Sequence, residues 1–275
     1  PFTLTNAEYI GIQDPVILTT NEGGEMLPIP EQLNLLVNKA FNLASLQRKD
    51  NQDKKLALLF WNHPPGETNQ GASNLNVPRS LEKLTSDLQK EGYQVSPVAE
   101  QTIIDAVAAM LKPSYRPDHL DELMDTALWS FLPLEAYQAW FKTLPEKVQN
   151  EINGYWGEAD QYAGLVAYQG QQGFVIPRLE SGNLIIMPQP SRGGNDPSQD
   201  KDIFHDVKVP MHHYYAAVYL WIREHYQADA IIHFGTHGSQ EWLPGKERVL
   251  WAYDAPNLAV GSVPVIYPYI VDNIA

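Results

Sequence analysis

Apolar and polar positions alternate along the chain in the way expected of an α/β fold. Two short runs, residues 56–61 (LALLFW) and about 229–234 (ending in AIIHF), have the length and composition of buried strands. Residues 31–47 instead repeat apolar side chains at helical spacing. The apolar face of that predicted helix comprises Leu33, Leu36, Val37, Ala40 and Ala44.

The rest of the pattern fits the same fold class. A helix is predicted over 79–93, with Leu81, Leu84 and Leu88 in register and Gly92 as its stop, and an aromatic helix over 212–226. A strand is predicted to begin in 94–98, and residues 173–179 and 184–190 are predicted to form a hairpin around Ser181-Gly182-Asn183. The stretch 100–160 is predicted to be mostly helical, with breaks at Pro113, Pro117, Pro133 and Pro145. We predict layered, mostly parallel sheets with flanking helices, Rossmann-like units and a helical insertion. The predicted segments are 1–99, 100–162 and 163–275.

Composition and charge narrow the classes of function. The formal net charge of −14 disfavours a nucleic-acid or anionic-membrane partner. The absence of cysteine excludes disulfides and thiolate metal sites, and fits a cytoplasmic location. No apolar run is long enough to span a bilayer. Because the chain begins at Pro1 without Met or a signal peptide, we expect a fragment of a longer protein.

One stretch, residues 233–247 (HFGTHGSQEWLPGKE), concentrates the candidate chemistry. The Gly-Lys pair at Gly245 suggests a phosphate loop, but that motif needs four residues between its glycines and a following Ser or Thr. Here six residues separate Gly238 from Gly245, and Glu247 follows the lysine. The sequence therefore excludes a phosphate loop.

A metal or proton-transfer site is the second interpretation of this stretch. His233, His237 and Glu241 are spaced i, i+4 and i+8, which would place them on one side of a helix as zinc ligands. The glycines between them disfavour a continuous helix and favour a loop beyond the carboxyl end of a strand, where open α/β sheets bind ligands. Each residue also has a purely structural alternative: a core histidine, a helix-terminal carboxylate, or for Trp242 a core aromatic side chain.

Three more histidines precede this stretch. His205 lies in a polar loop, and His212 and His213 begin the aromatic helix. These three, His233 and His237, with several carboxylates in about forty residues, form a dense supply of metal ligands and proton acceptors. We predict that a helix start, a long loop and a strand end converge at one cleft.

The same residues carry a family resemblance. The stretch from "PQPSRGGNDP" through "FHD" and "PMHHYYAAVYLWIREHYQADAIIHFGTHGSQEWLPGK" resembles the conserved core of the CobN-type cobaltochelatase large subunit, whose family includes the large subunit of magnesium chelatase. Residues 56–98 are similar to the family too. "EWLPGK" and "PSRGG" resemble the cobalt branch, since the magnesium branch more often has Phe-Met in place of Trp242-Leu243.

The resemblance implies insertion of cobalt, as substrate metal, into a corrin-type tetrapyrrole such as hydrogenobyrinic acid a,c-diamide. ATP would be hydrolysed by two AAA+ ATPase partner subunits and not by this chain. Deprotonating the ring requires a general base, for which Glu241 and His237 are the catalytic candidates. The predicted metal ligands are His233, His237 and Glu241. The predicted substrate-binding residues are Arg192, His205, His212, His213, Trp242 and Lys246, with Trp221 as a further aromatic candidate.

Alternatives to cobalt insertion remain at this point. They are insertion of Mg²⁺ into protoporphyrin IX, a non-catalytic tetrapyrrole-binding module, and a zinc hydrolase that uses His233, His237 and Glu241 as ligands.

Overall fold

The computed structural model describes residues 16–62, 66–72, 75–193, 203, 206–235, 242–246 and 249–268. The strands are β1 (Thr19–Glu22), β2 (Glu25–Pro28), β3 (Leu56–Phe60), β4 (Gly71–Ala72), β5 (Leu75–Asn76), β6 (Trp129–Pro133), β7 (Leu165–Tyr168), β8 (Gln171–Pro177), β9 (Leu179–Ser181), β10 (Leu184–Pro188), β11 (Ala230–Phe234) and β12 (Val265–Ile266). The helices are α1 (Pro30–Arg48), α2 (Val77–Lys90), α3 (Glu100–Tyr115), α4 (Leu120–Met124), α5 (Leu134–Phe141), α6 (Glu146–Trp156), α7 (His213–Leu220, continued by a π-helical turn over Trp221–Tyr226) and α8 (Ala255–Val260).

A five-stranded sheet lies at the centre of the fold, in the order β12-β11-β3-β10-β9. All its neighbouring strands are parallel except β9, which pairs with β10 in antiparallel orientation. Strand β3 has neighbours on both sides, since Leu56 pairs with Leu184 of β10 and with Ala230 of β11. All five of its residues are therefore buried. This sheet confirms the predicted α/β class and both predicted buried strands to within one residue.

The two faces of the central sheet support two apolar cores, since successive side chains of a strand point to opposite faces. Leu58 and Phe60 contribute to a core with residues of α2 and α3. Ala57 and Leu59 contribute to the other core, with residues of α7 and α8. Among the described residues, no helix combines the length and apolar character that crossing a membrane would require.

The predicted hairpin is correct in its second half only. Strand β10 pairs with β9 across a turn at Gly182, as predicted, but β8 belongs to a separate antiparallel sheet in the order β6-β8-β7. The chain changes sheets between Pro177 and Leu179. An apolar pattern identifies a strand without identifying its partner, which explains the partial error.

The strand predicted to begin in 94–98 is wrong. This segment runs beside the β9–β10 turn, where Asn183 N donates to Gln94 O at 2.7 Å and Ser96 N donates to Ser181 Oγ at 3.1 Å. Ser181 Oγ also donates to Ser96 O at 2.6 Å, but these bonds do not continue into a ladder with a neighbouring strand in the described structure.

The helical insertion is confirmed with two corrections. Helix α3 continues through Pro113, so the break predicted there is wrong, whereas Pro117, Pro133 and Pro145 do mark boundaries of helical segments. Pro113 lies in the last turn of the helix, so it removes one hydrogen bond, to the carbonyl group of Ala109, and only two helical residues follow it. Strand β6 also lies within this stretch and was not predicted.

Helix α1 has the predicted limits but an unusual orientation. Its polar side chains attach it to the rest of the fold: Gln32 Nε2 donates to Leu250 O at 3.1 Å, Asn42 Nδ2 donates to Ser262 O at 3.0 Å, and Lys49 pairs with Asp229 at 2.7 Å. Gln32 is the buried residue of this helix. The apolar face therefore does not pack on the core, although an amphipathic helix normally buries that face.

The turn at Gly182 provides a stability prediction. Gly182 has φ +61, and an added Cβ would lie 2.2 Å from Gln94 O, so Gly182→Ala must displace main chain. Gly170→Ala is a matched control, since it has φ +81 and no atom within 4 Å of the added Cβ. In urea denaturation we expect Gly182→Ala to lower the free energy of unfolding by roughly 1 to 2 kcal/mol more than Gly170→Ala. Equal losses would contradict the close contact.

Candidate functional site

The carboxyl ends of β3, β10 and β11 meet at one edge of the central sheet, because the three strands are parallel and adjacent. The ladder continues just beyond them: Gln189 N donates to Phe60 O at 2.9 Å, and Trp61 N donates to Phe234 O at 3.2 Å. We name this region, comprising Trp61, Gln189, His233 and Gly235, the carboxyl edge. Open parallel sheets bind ligands at such edges.

His233 lies near the end of β11, is 1% exposed, and is held by polar side chains of helix α7. Its Nε2 is 3.0 Å from the hydroxyl of Tyr219. The amide of Gln189 donates one hydrogen to the hydroxyl oxygen of Tyr219 at 2.9 Å and the other to that of Tyr215 at 3.0 Å. A buried hydrogen-bond network therefore joins the ends of β10 and β11 to α7.

The direction of these bonds defines the state of His233. The Tyr219 oxygen accepts a hydrogen bond from Gln189, which leaves its own hydrogen to be donated to His233 Nε2. Burial lowers the pKa of His233 to about 4, which keeps the ring neutral at pH 7. The ring hydrogen is then at Nδ1, which has no hydrogen-bond partner among the described residues. In this tautomer His233 presents a hydrogen-bond donor at Nδ1.

Trp242 lies next to the carboxyl edge. Its ring contacts Trp61 edge to face, with 5.4 Å between ring centroids. Trp242 is half-buried and packs against the core on the α2 and α3 side of the sheet, whereas the adjacent Leu243 is buried in the opposite core. The two residues thus anchor the described segment 242–246 beside the end of β11. Trp221, the other aromatic candidate, is buried in the core and stacks on Tyr226.

His212 has a structural role at the start of α7. It is the N-cap residue, and its Nδ1 accepts a hydrogen bond from Tyr214 N at 2.9 Å. Its ring packs against Trp156 and Tyr162 and is 7% exposed. Burial, with a smaller contribution from His213, lowers the pKa of His212 to about 3.

His213 is engaged through both ring nitrogens. Its Nε2–H donates to Gly157 O at 2.9 Å, so its Nδ1 accepts from the hydroxyl of Tyr137 at 2.8 Å. Burial lowers its pKa. Tyr219 follows six residues later, roughly 9 Å along the helix axis. The structure therefore brings His212 and His213 together with the helical insertion and not with His233, and their role in substrate binding stays a prediction.

Arg192 is 2% exposed and binds main-chain oxygens. Its guanidinium donates to the carbonyl groups of Ile203 at 2.6 Å, Val209 at 3.2 Å and Asp206 at 3.3 Å. These bonds tie the segment before α7 to the end of β10. Arg192 thus organises the loop beside the carboxyl edge, and its predicted contact with substrate stays a prediction.

Lys246 lies on the wall of a cleft of about 290 Å³ between α6, α8 and residues 207–211. Its Nζ is 3.2 Å from Asp254 Oδ1 and 4.7 Å from the centre of the Trp251 ring. More than half of the side chain is exposed, so the ammonium group remains accessible to an anionic group of a ligand.

The remaining predicted site residues, His205, His237 and Glu241, lie outside the described residues. So does most of the predicted metal set, of which the structure describes only His233. Among the described residues, no three His, Asp or Glu side chains are grouped to hold a metal ion.

A comparison of the sequence with known protein families identifies the family of this chain. The family model described as CobN/Magnesium Chelatase matches residues 1–275. The chain belongs to the CobN/magnesium chelatase family. The resemblance carried by residues 188–246 is thereby confirmed.

Individual relatives include both branches of the family. The chain is 30% identical to the aerobic cobaltochelatase subunit CobN of Sinorhizobium sp over 90% of its length, and 30% identical to a magnesium-chelatase subunit of Chlorobaculum parvum over 99%. It covers 18% and 20% of those two proteins, so it spans about a fifth of their length.

A solved structure in the family has the same fold. The catalytic subunit of cobaltochelatase from Mycobacterium tuberculosis is similar with a TM-score of 0.73 at 28% identity, covering 92% of this chain and 21% of that one. This similarity supports the mixed α/β class.

Several residues at the carboxyl edge or on the adjoining face of α7 are not predicted by the sequence pattern. Gln189, Tyr215 and Tyr219 carry the network to His233, and Trp61 contacts Trp242. Two signals existed: Gln189 directly follows an apolar strand run, and the two tyrosines are spaced i, i+4 on the aromatic helix. Both were attributed to ordinary strand and helix patterning.

Proposed function

We propose that this chain forms the macrocycle-binding, catalytic part of an ATP-dependent chelatase that inserts Co²⁺ into a corrin-type tetrapyrrole. The observation that supports this most is the position of residues 233–246. They leave the carboxyl end of β11, a ligand-binding position in α/β sheets, within a chain that matches the chelatase family over its whole length.

Metal insertion requires a general base, an apolar surface for the flat ring, and a metal ion that is bound weakly enough to be transferred. Glu241 is the proposed base for the ring N–H hydrogens, because a carboxylate can accept them. Trp242, which is half-buried against the buried Trp61, supplies aromatic surface beside the edge. His237 and Glu241 offer imidazole and carboxylate, ligands that suit Co²⁺ and release it more readily than thiolates, of which the chain has none.

His233 has a more specific place in this proposal. Its Nδ1–H is a neutral hydrogen-bond donor whose orientation is fixed by Tyr219, Tyr215 and Gln189. Such a donor can orient a carboxylate or carbonyl oxygen without competing for the metal. We therefore assign metal handling to His237 and Glu241 and an orienting role to His233, which disfavours a zinc hydrolase with His233 as ligand.

ATP hydrolysis belongs to the two AAA+ partner subunits in this proposal. The spacing from Gly238 to Gly245 does not form a phosphate loop. Lys246, the residue that such a loop would use, pairs with Asp254 and lies over Trp251. A cation in that position suits a peripheral carboxylate of the macrocycle.

Insertion of Mg²⁺ into protoporphyrin IX is the second candidate. The chain is 30% identical both to the cobaltochelatase subunit and to the magnesium-chelatase subunit, and this equality supports magnesium insertion as an alternative. Trp242-Leu243 at the position where the magnesium branch more often has Phe-Met favours cobalt.

The deciding experiment is metal insertion by the full-length polypeptide with both ATPase partners. We expect turnover with Co²⁺ and a corrin-type ring, followed by its absorption spectrum, and none with Mg²⁺ and protoporphyrin IX. The polypeptide without partners should show no ATPase activity, and Lys246→Ala should not alter this. Turnover with Mg²⁺ and protoporphyrin IX but not with Co²⁺ would establish the second candidate. ATPase activity that Lys246→Ala abolishes would contradict the proposal that only the partner subunits hydrolyse ATP.

A further inference from the structure

Helix α1 presents its apolar residues to the outside of the described structure. At 100° per residue, Leu33, Val37, Ala40, Phe41 and Ala44 fall within an arc of about 100°. We name these five residues the outer stripe. Phe41 is 71% exposed and Val37 is 63% exposed, more than any other large apolar side chain of this helix.

The helix cannot bury the outer stripe by rotating. Gln32, Asn42 and Lys49 occupy the opposite side, and each is bonded to a different part of the fold: Leu250, Ser262 and Asp229. A rotation that buried Phe41 would break these bonds and expose Gln32, which is 3% exposed. The orientation is therefore built into the contacts of the helix.

The outer stripe is also free of charge in a strongly acidic chain. Its exposed neighbours are Asn34, Asn38, Ser45 and Gln47, and the one charged side chain in line with it is Arg48 at the end of the helix, whereas the whole chain has a formal net charge of −14. Buried centres of protein interfaces are depleted of charged residues and enriched in aromatic ones. A solvated helix face of this chain would be expected to carry acids.

The length of the relatives indicates what covers this surface. Both chelatase subunits compared above extend over about five times the matched region. We propose that the outer stripe is a permanent interface within the large subunit, covered by an uncharged apolar surface from the part of that polypeptide outside the matched region. This inference rests on family membership and exposure, and not on the proposed chemistry.

Two other occupants fit less well. A second copy would bring two chains of charge −14 together over a few hundred Å², whereas stable dimers bury about 800 Å² per partner. A separate subunit that binds and dissociates during ATP turnover would be expected to use several charged groups for steering, and this face offers only Arg48 at its end.

The test uses the absence of cysteine from this sequence. Phe41→Cys and Val37→Cys each introduce one thiol in the stripe, and Asn38→Cys introduces a control thiol on the exposed polar side of the same helix. In the full-length polypeptide, labelling by a thiol reagent is measured on the peptide containing the new cysteine. We expect both stripe variants to react at least about tenfold more slowly than Asn38→Cys, and equally fast after unfolding in urea.

Each other outcome overturns the proposal. Equal labelling rates at all three positions would mean that the stripe is not covered. Protection that disappears on dilution, with a dimer detected by light scattering, would identify a second copy as the occupant. Protection that arises only after the ATPase subunits are added would identify a separate partner. Because labelling needs no metal insertion, its result is independent of the proposed chelatase activity.

Discussion

Replacing Glu241 by Gln in the full-length subunit should lower the turnover of metal insertion by about a hundredfold or more. Gln keeps the size and much of the hydrogen bonding of Glu but cannot accept a proton or supply a negative charge. Glu241 follows the end of β11 by seven residues and has His237 four residues before it, which could relay a proton.

The alternative is that Glu241 only shapes its loop. In that case the substitution should cost of order 1 kcal/mol of stability or less and leave turnover unchanged. Glu247→Gln removes a carboxylate six residues further along the same stretch and serves as the matched control. Macrocycle binding and thermal stability should remain near normal in both variants. Wild-type turnover in Glu241→Gln would end the catalytic assignment and leave a non-catalytic binding module as the better description.

His212→Asn should make the protein more resistant to acid. The pKa of His212 falls from 6.5 to about 3 on folding, mainly through burial, so the unfolded state binds more protons below pH 6.5. The contribution of neutral His212 to stability is therefore complete above pH 6.5 and is lost as the pH falls toward 3. Between pH 7 and pH 4 this loss amounts to about 3 kcal/mol.

Asn is the suitable replacement because it does not titrate and is a favoured N-cap residue. Its side-chain oxygen can accept the hydrogen bond from Tyr214 N that His212 Nδ1 accepts. The free energy of unfolding in urea, measured at pH 7 and pH 4, should fall by about 3 kcal/mol less in His212→Asn than in the wild type. His225→Asn, which changes an exposed histidine of the same helix region, is the control. If the free energy of unfolding fell equally between pH 7 and pH 4 in the wild type and both variants, the lowered pKa of His212 would be refuted as a source of acid sensitivity.

Local patterns predicted the elements of the fold better than their partners. The five residues of β3 are apolar because neighbours cover both faces, so a continuous run identified the strand. Nothing in the sequence of β8 indicates that it pairs with β6 and β7 while the following β9 pairs with β10. Strand pairing depends on distant contacts that no short window contains.

Helix α1 shows a second limit of sequence patterns. Periodicity predicted its extent, but its apolar face is turned away from the fold because Gln32, Asn42 and Lys49 bind atoms more than a hundred residues away.

The candidate site was predictable in position and less so in composition. Glycines after an apolar run indicated a loop at the carboxyl end of β11, and the strand itself is confirmed. The histidines looked equivalent in sequence, yet His212 caps a helix, His213 bonds Tyr137 and Gly157, and His233 bonds Tyr219. Burial and hydrogen-bond partners distinguish them, and both depend on the assembled fold.

The order of strands in the central sheet has a consequence for synthesis of the chain. Strand β3 ends at Phe60, but its neighbours begin only at Leu184 and Ala230. At about 5–20 residues per second, a ribosome needs several seconds or more to produce the first neighbour. During that time an apolar segment, LALLF, has no strand to pair with. Nascent chains should therefore depend on chaperones until β10 and β11 have emerged, and folding should be slow because its central contacts are so distant in sequence.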